Sequence, residues 1–205
     1  MKFLIKYILT KLFAIRYSCF SIGKGCFIMH TKVYNGGRNY VTLGKNVVLR
    51  NCVFHFVGND NHIMIKQNAK LDGVTFWLED DNNHIEIGAN TTIESKVQLA
   101  ACEGTKILIG DDCMFSHDIY VRTTDSHSII DACGQRINEA KSIIIGHHVW
   151  VGMQCLILKG ACVPDHCVVG ARSMVTDMSI LPHSILAGIP ARILKTNIDW
   201  LRQRI

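Results

Sequence analysis

The sequence predicts an all-β fold: a parallel β-helix whose coils stack into a triangular prism, with short N- and C-terminal helical segments. Three observations carry this expectation. From residue 145 a branched aliphatic residue returns every sixth position, at Ile145, Val151, Ile157, Val163, Val169 and Val175. Four positions after each of the first five stands a small or modest residue: Val149, Cys155, Ala161, Cys167 and Ser173. Upstream, Leu43, Ile65, Ile87 and Ile109 keep a constant spacing of 22 residues. Periods this short mark solenoid coils, each of which buries its aliphatic face only by stacking on its neighbours. Three hexads per coil imply three flat faces. No helical stretch appears between residues 40 and 175, which argues against an ordinary α/β sheet.

Composition narrows the class. The chain has 205 residues, 48% hydrophobic and 19% charged, as expected of one globular domain rather than a disordered chain. The formal net charge of +5 is mild and no Lys/Arg run is present, so an anionic ligand or membrane surface is expected and nucleic acid is not. Nine cysteines include no C-x-x-C pair. Cys113, Cys155 and Cys167 occupy small-residue positions of the repeat, so reduced core thiols in a cytosolic protein are expected, with no metal ligands.

Residues 1–20 are apolar but interrupted by Lys6, Lys11 and Arg16, which breaks up any membrane span of roughly 20 residues. No small-residue cleavage site follows, so a signal peptide is not expected. Lys2, Lys6 and Arg16 alternate with Phe3, Leu4, Ile8, Leu12 and Ile15, as in an amphipathic helix. Such a helix either caps the core or lies on a membrane surface.

The repeat runs over residues 21–178, with landmarks at Ile22-Gly23, Leu43-Gly44, Ile65-Lys66, Ile87-Gly88, Ile109-Gly110 and Ile145-Gly146. The glycines suit corners that need an unusual φ. The 22-residue coils read as 18-residue coils with four extra residues at one corner. The polar inserts Gly58-Asn59-Asp60-Asn61, Asp80-Asp81-Asn82-Asn83 and Glu103-Gly104 supply that turn chemistry. From Ile109 to Ile145 the spacing is 36, one coil plus an inserted loop near residues 122–141. Residues 179–205 leave the repeat. Residues 186–195 read as a loop and strand, and residues 198–205 as a final short helix.

Three motifs stand out in order: Arg122-Thr123-Thr124-Asp125-Ser126-His127-Ser128-Ile129, then His148-Val149-Trp150-Val151-Gly152, then Ala187-Gly188-Ile189-Pro190-Ala191-Arg192. With the hexads, they make the chain similar to the hexapeptide-repeat acyltransferases, in the sugar and polysaccharide O-acetyltransferase branch. The resemblance implies a left-handed parallel β-helix, an exception to the usual right-handed crossover. It also implies a homotrimer with active sites between subunits, acetyl-CoA as co-substrate and a carbohydrate acceptor.

The resemblance places the catalytic base at His127. A sugar hydroxyl is a poor nucleophile until its proton has somewhere to go, and an imidazole of reference pKa about 6.5 suits that task. Glu103 and Asp125 are candidates to orient the imidazole or hold the acceptor, and Trp150 is a candidate wall for a sugar ring or the coenzyme arm. Matched to the family motifs, Met153, Ala171 and Thr176 resemble coenzyme-lining positions. Arg192 and Lys195 resemble phosphate-binding residues, and Lys159 is a further phosphate candidate. The extension 179–205 is expected to contribute to that coenzyme site.

The expected activity is acetyl transfer from acetyl-CoA to a sugar or cell-surface polysaccharide precursor, in the cytoplasm or peripherally at the inner face of the membrane. An amino-sugar N-acyltransferase would use the same scaffold, and a non-catalytic β-helix would not need the histidine loop. A zinc carbonic anhydrase on this prism needs three converging histidines; His117 is present, but residue 122 is Arg and His127 lies in a loop.

Overall fold

The computed structural model describes residues 2–205, with side chains from residue 8 onward; the amphipathic expectation for Lys2, Phe3, Leu4 and Lys6 lies outside the described side chains. After the helix Lys2–Arg16 the chain winds through three sheets, visiting each face in turn with parallel strands as far as Val175. The first face has seven strands, the second nine and the third seven. Parallel pairing is in register from coil to coil. Val41, Ile63, Ile85, Ile107 and Ile143 therefore form one column inside the first face. Each of them is 1% exposed or less. A buried aliphatic residue of this size contributes about 1.5–3 kcal/mol by transfer alone, so the column is a principal source of stability.

The small residues sit at the corners between strands. Cys113, Cys155 and Cys167 are buried there as free thiols. Burial pushes the Cys113 thiol up to about 12, which keeps it protonated and unreactive. The N-terminal end is closed by aromatic packing. Phe13 of the helix meets Phe20 edge-on at 4.9 Å, Phe20 meets Phe54 at 5.1 Å, and Phe54 stacks on Phe76 at 4.6 Å. The helix thus caps the core, yet Ile8, Leu12 and Ile15 stay exposed.

Two edges of the prism have their own chemistry. The polar inserts lie on the edge between the third and first faces. Asn39, Asn61 and Asn83 are buried there and hand hydrogen bonds upward. The Asn39 side-chain oxygen accepts from the Asn61 amide (3.0 Å), that of Asn61 from the Asn83 amide (2.8 Å), and that of Asn83 from the Thr105 amide (3.1 Å). On the edge between the first and second faces runs a column of left-handed corner residues: Asn46, Asn68, Asn90, Asp112, His148, His166 and His183, with φ of 52–60°. Asn and Asp tolerate this conformation because their short side chains bond locally.

Two expectations need correction. The glycines after the aliphatic landmarks do not have positive φ. They are needed because the next coil passes too close: a Cβ on Gly110 would lie 2.5 Å from the Gly146 carbonyl oxygen. The expected C-terminal helix is also absent. Strands Ile185–Gly188 and Ala191–Lys195 pair antiparallel at the end of the second face, and residues 196–205 follow as an extended tail. Trp200 and Arg202 draw that tail onto the corner column in place of helical hydrogen bonds. Trp200 Nε1 donates to the His148 carbonyl (2.8 Å), and Arg202 donates to the Asp112 carboxylate (2.9 Å) and the Cys113 carbonyl (2.9 Å).

Candidate active site

The buried polar ladder leads straight to the histidine loop. The Thr105 hydroxyl donates to Thr123 Oγ1 (2.6 Å), and Thr123 Oγ1 accepts the Cys102 amide (3.1 Å). Thr123 and Thr124 are buried at the point where strand Tyr120–Arg122 ends. The loop closes where the Lys141 amide donates to the Thr123 carbonyl (2.9 Å). Between these points, residues 129–137 form a small hairpin. Its turn is held by Asp131, whose carboxylate accepts the Cys133 (2.8 Å) and Gln135 (2.9 Å) amides. Ile129, Ile130 and Ile137 stand exposed on this hairpin.

His127 faces a cleft of about 570 Å³ lined by Glu103, Thr124, Ser126, Ser128 and Arg136. Its ring makes no hydrogen bond among the described residues; its backbone is what is held. The His127 carbonyl accepts from Asn138 Nδ2 (2.8 Å), and the same amide nitrogen donates to the Asp125 carboxylate (2.9 Å). The Asn138 side-chain oxygen accepts the Ile129 amide (2.7 Å). Asn138 is only 7% exposed, so it is the buried knot of the loop. Sequence reasoning missed it. It lies outside the hexads, and nothing in its neighbours marks it.

Glu103 and Asp125, candidates to orient the imidazole or hold the acceptor, brace the loop through their hydrogen bonds. Glu103 accepts Thr124 Oγ1 (2.6 Å) and both terminal nitrogens of Arg136 (2.5 and 2.9 Å). The Arg136 guanidinium and the Thr124 hydroxyl hold the Glu103 carboxyl below its ordinary range. Asp125 accepts Lys159 Nζ at 2.6 Å, and that ammonium, then Asn138, lowers the Asp125 pKa likewise. Arg122 donates to Ser126 Oγ, while its buried Nε has no partner among the described residues.

The remaining expected residues are dispersed within one chain. Lys159 is tied to Asp125 and to the Asn138 carbonyl (2.9 Å). Thr176 follows strand Met174–Val175 on the third face, where it is in line with Leu158 just before Lys159. Met153 and Ala171 sit one coil apart at the corner between the second and third faces. Arg192 and Lys195 lie on the last strand, at the end of the second face. Trp150 projects from the second face, 39% exposed, with its ring 6.0 Å from Trp200 and away from the histidine loop.

No family model matches the chain. Curated relatives do. It is 36% identical over 107 residues to a polysialic acid O-acetyltransferase of Neisseria meningitidis, covering 52% of this chain and 50% of that protein. It is 39% identical over 97 residues to a polysialic acid O-acetyltransferase of Escherichia coli O1:K1 / APEC, covering 47% of this chain and 31% of that one. The chain thus matches half or less of these relatives' length. Solved structures align over nearly the whole chain. The polySia-specific acetyltransferase NeuO superposes with a TM-score of 0.60 at 29% identity, covering 91% of both chains. The polysialic acid O-acetyltransferase OatWY superposes with a TM-score of 0.58 at 31% identity, covering 90% of this chain and 93% of that one. With this match in sequence and coil geometry, the chain belongs to the hexapeptide-repeat acyltransferases of left-handed parallel β-helix fold, and is related to the polysialic acid O-acetyltransferases.

Proposed function

We propose that this protein is an acetyl-CoA-dependent O-acetyltransferase acting on a sugar hydroxyl of a cell-surface polysaccharide or its precursor. The observation that carries the reading is the placement of His127: exposed in a cleft, with no ring hydrogen bond among the described residues and its backbone pinned by buried Asn138. A general base needs an unengaged nitrogen in a fixed position. The relatives whose names specify polysialic acid make that polymer the first acceptor to try.

In the reaction, His127 takes the acceptor hydroxyl proton as the oxygen bonds to the thioester carbonyl carbon. The tetrahedral adduct collapses with loss of the C–S bond. The imidazolium then returns the proton to the departing thiolate, so the base is regenerated and free thiol is released. No strong acid is required, because a thiolate leaves readily. Asp125 and Glu103 hold the loop's shape.

The coenzyme candidates Met153, Lys159, Ala171, Thr176, Arg192 and Lys195 spread over two prism edges and the last strand. A homotrimer with the active site between subunits reconciles this spread with one bound coenzyme. The exposed Ile129, Ile130 and Ile137 of the hairpin are the surface that such a neighbour would cover. Trp150 on the second face would then serve a neighbouring subunit's site.

Among the described residues no helix is long and apolar enough to cross a membrane. Exposed Ile8, Leu12 and Ile15 beside exposed Lys11 and Arg16 support peripheral contact of the N-terminal helix with an anionic bilayer on the cytoplasmic side. Leu12→Glu with Ile15→Glu should abolish co-sedimentation with anionic liposomes while keeping the fold; unchanged partitioning would remove the membrane assignment.

The central test follows free thiol release from acetyl-CoA with polysialic acid, simple sugars and nucleotide sugars. His127→Ala should lower acceptor-dependent release by about 10²–10⁴-fold. Undiminished release in the variant would reject His127 as the base. If wild type neither binds acetyl-CoA in calorimetry nor releases thiol, the chain is a scaffold instead.

A further inference from the structure

The edge between the first and second faces carries a second cluster of chemistry-bearing groups. His148 and His166 occupy the same corner in successive coils, and Asp199 reaches them from the C-terminal tail. One donor atom from each of the three lies within 4.8 Å of the others. Asp199 Oδ1 is 3.5 Å from His148 Nε2 and 3.3 Å from His166 Nδ1. Around a tetrahedral zinc with bonds of about 2.0–2.2 Å, ligand atoms stand about 3.3–3.5 Å apart. Two of the three separations already have that length, and half-exposed His166 has room to close the third.

The surroundings have the character of a metal site's outer shell. Asp112 Oδ2 lies 2.7 Å from His148 Nδ1, the carboxylate–imidazole pairing that orients a ligating histidine and directs its Nε2 outward. That Nε2 faces the Asp199 carboxylate and, at 2.9 Å, the Trp200 carbonyl oxygen. A point ringed by a carboxylate, a carbonyl and a second imidazole calls for a positive charge. The rings are flanked by stacking partners: His148 on Trp200 at 4.2 Å and His166 on His183 at 4.5 Å. Among the described residues, Arg202, paired with the far oxygen of Asp112 at 2.9 Å, is the one Lys or Arg in direct contact with these groups.

We propose that His148, His166 and Asp199 form a binding site for a zinc-class divalent ion, with the fourth position left to solvent. Its role is to staple the extended C-terminal tail to two coils of the prism. The site is separate from the histidine loop. His148 lies between the first and second faces, and His127 between the third and first. It therefore stands whether or not the transferase reading holds. It departs from the expectation of no metal ligands, which considered cysteine spacing and the three-histidine pattern but not the contact between the corner column and the tail.

The test uses the full chain after dialysis against chelator, titrated with Co²⁺ as a spectroscopic probe and then with Zn²⁺. The expected result is one equivalent of Co²⁺ per chain with the intense visible absorption of a four-coordinate site, displaced by Zn²⁺. His166→Asn and Asp199→Asn should each weaken binding at least tenfold. Asn is chosen at position 166 because Asn46, Asn68 and Asn90 already occupy equivalent left-handed corners. Zn²⁺ should raise the melting temperature of wild type but not of His166→Asn. No saturable uptake by wild type would overturn the proposal. So would equal binding in His166→Asn with loss in a Cys133→Ser/Cys162→Ser variant, which would locate the ion on the exposed thiols.

Discussion

At the scale of single residues, position matters more than identity. His127 is one of ten histidines and differs from the rest in what surrounds it. Its carbonyl is tied to Asn138, which also ties Asp125 and Ile129. Asn138→Ala should lower kcat about 10²-fold by letting the base drift roughly an ångström, while leaving the acetyl-CoA KM within a factor of two. Steady-state kinetics separates the two constants. Acid should loosen the same loop. Glu103 and Asp125 have pKa values below their ordinary ranges, so their stabilisation is complete above about pH 5 and is lost as pH falls through the depressed folded values. Protection of the amides of residues 123–138, relative to their intrinsic exchange rates, should therefore fall as pH drops through those depressed values, and Glu103→Gln should remove part of that pH dependence. Nothing in the sequence marked Asn138 as central, whereas the histidine loop was legible as the one break in the hexads.

At the scale of elements, each coil is too small to be stable alone and relies on registered contact with the next. This makes the close approaches at corners as important as the aliphatic columns. Gly110→Ala leaves φ acceptable but drives a methyl into the Gly146 carbonyl, and should destabilise by about 1–3 kcal/mol in urea unfolding. A melt equal to wild type would show that the coils can spread at no cost. The polar inserts were legible as turns. Their second role was not: Asn39, Asn61 and Asn83 form a buried ladder ending at Thr105 and Thr123, because stacking brings residues 22 apart into hydrogen-bond range. The expected C-terminal helix failed for a related reason. Its apolar and basic side chains find partners on the corner column, and those contacts outweigh a helix of one or two turns, which is marginal by itself.

At the scale of the whole molecule, the prism places its groups on separate edges. The histidine loop uses one edge and the tail with its histidine stack another, while the second face carries Trp150 and the terminal strand pair. A trimer would bring such separated groups from neighbouring chains together. Sedimentation should give three times the chain mass of 23.0 kDa, and Ile130→Glu with Ile137→Glu should yield folded, inactive monomers. Full activity in a monomeric variant would place the whole site within one chain.

The sequence by itself determined the architecture: three faces, coil length, the corner that receives inserts and the loop that carries His127. A repeat writes its geometry locally, since each hexad must bury one aliphatic residue and turn one corner. The tertiary structure decided everything that depends on which coil lies above which. It showed that Glu103 and Asp125 brace the loop, that Asn138 is the knot, and that the landmark glycines answer steric approach rather than φ. It also brought His148, His166 and Asp199 together. Only stacking places residues 18, 22 or 36 positions apart within a hydrogen bond of each other, and only the docked tail carries Asp199 back across the prism.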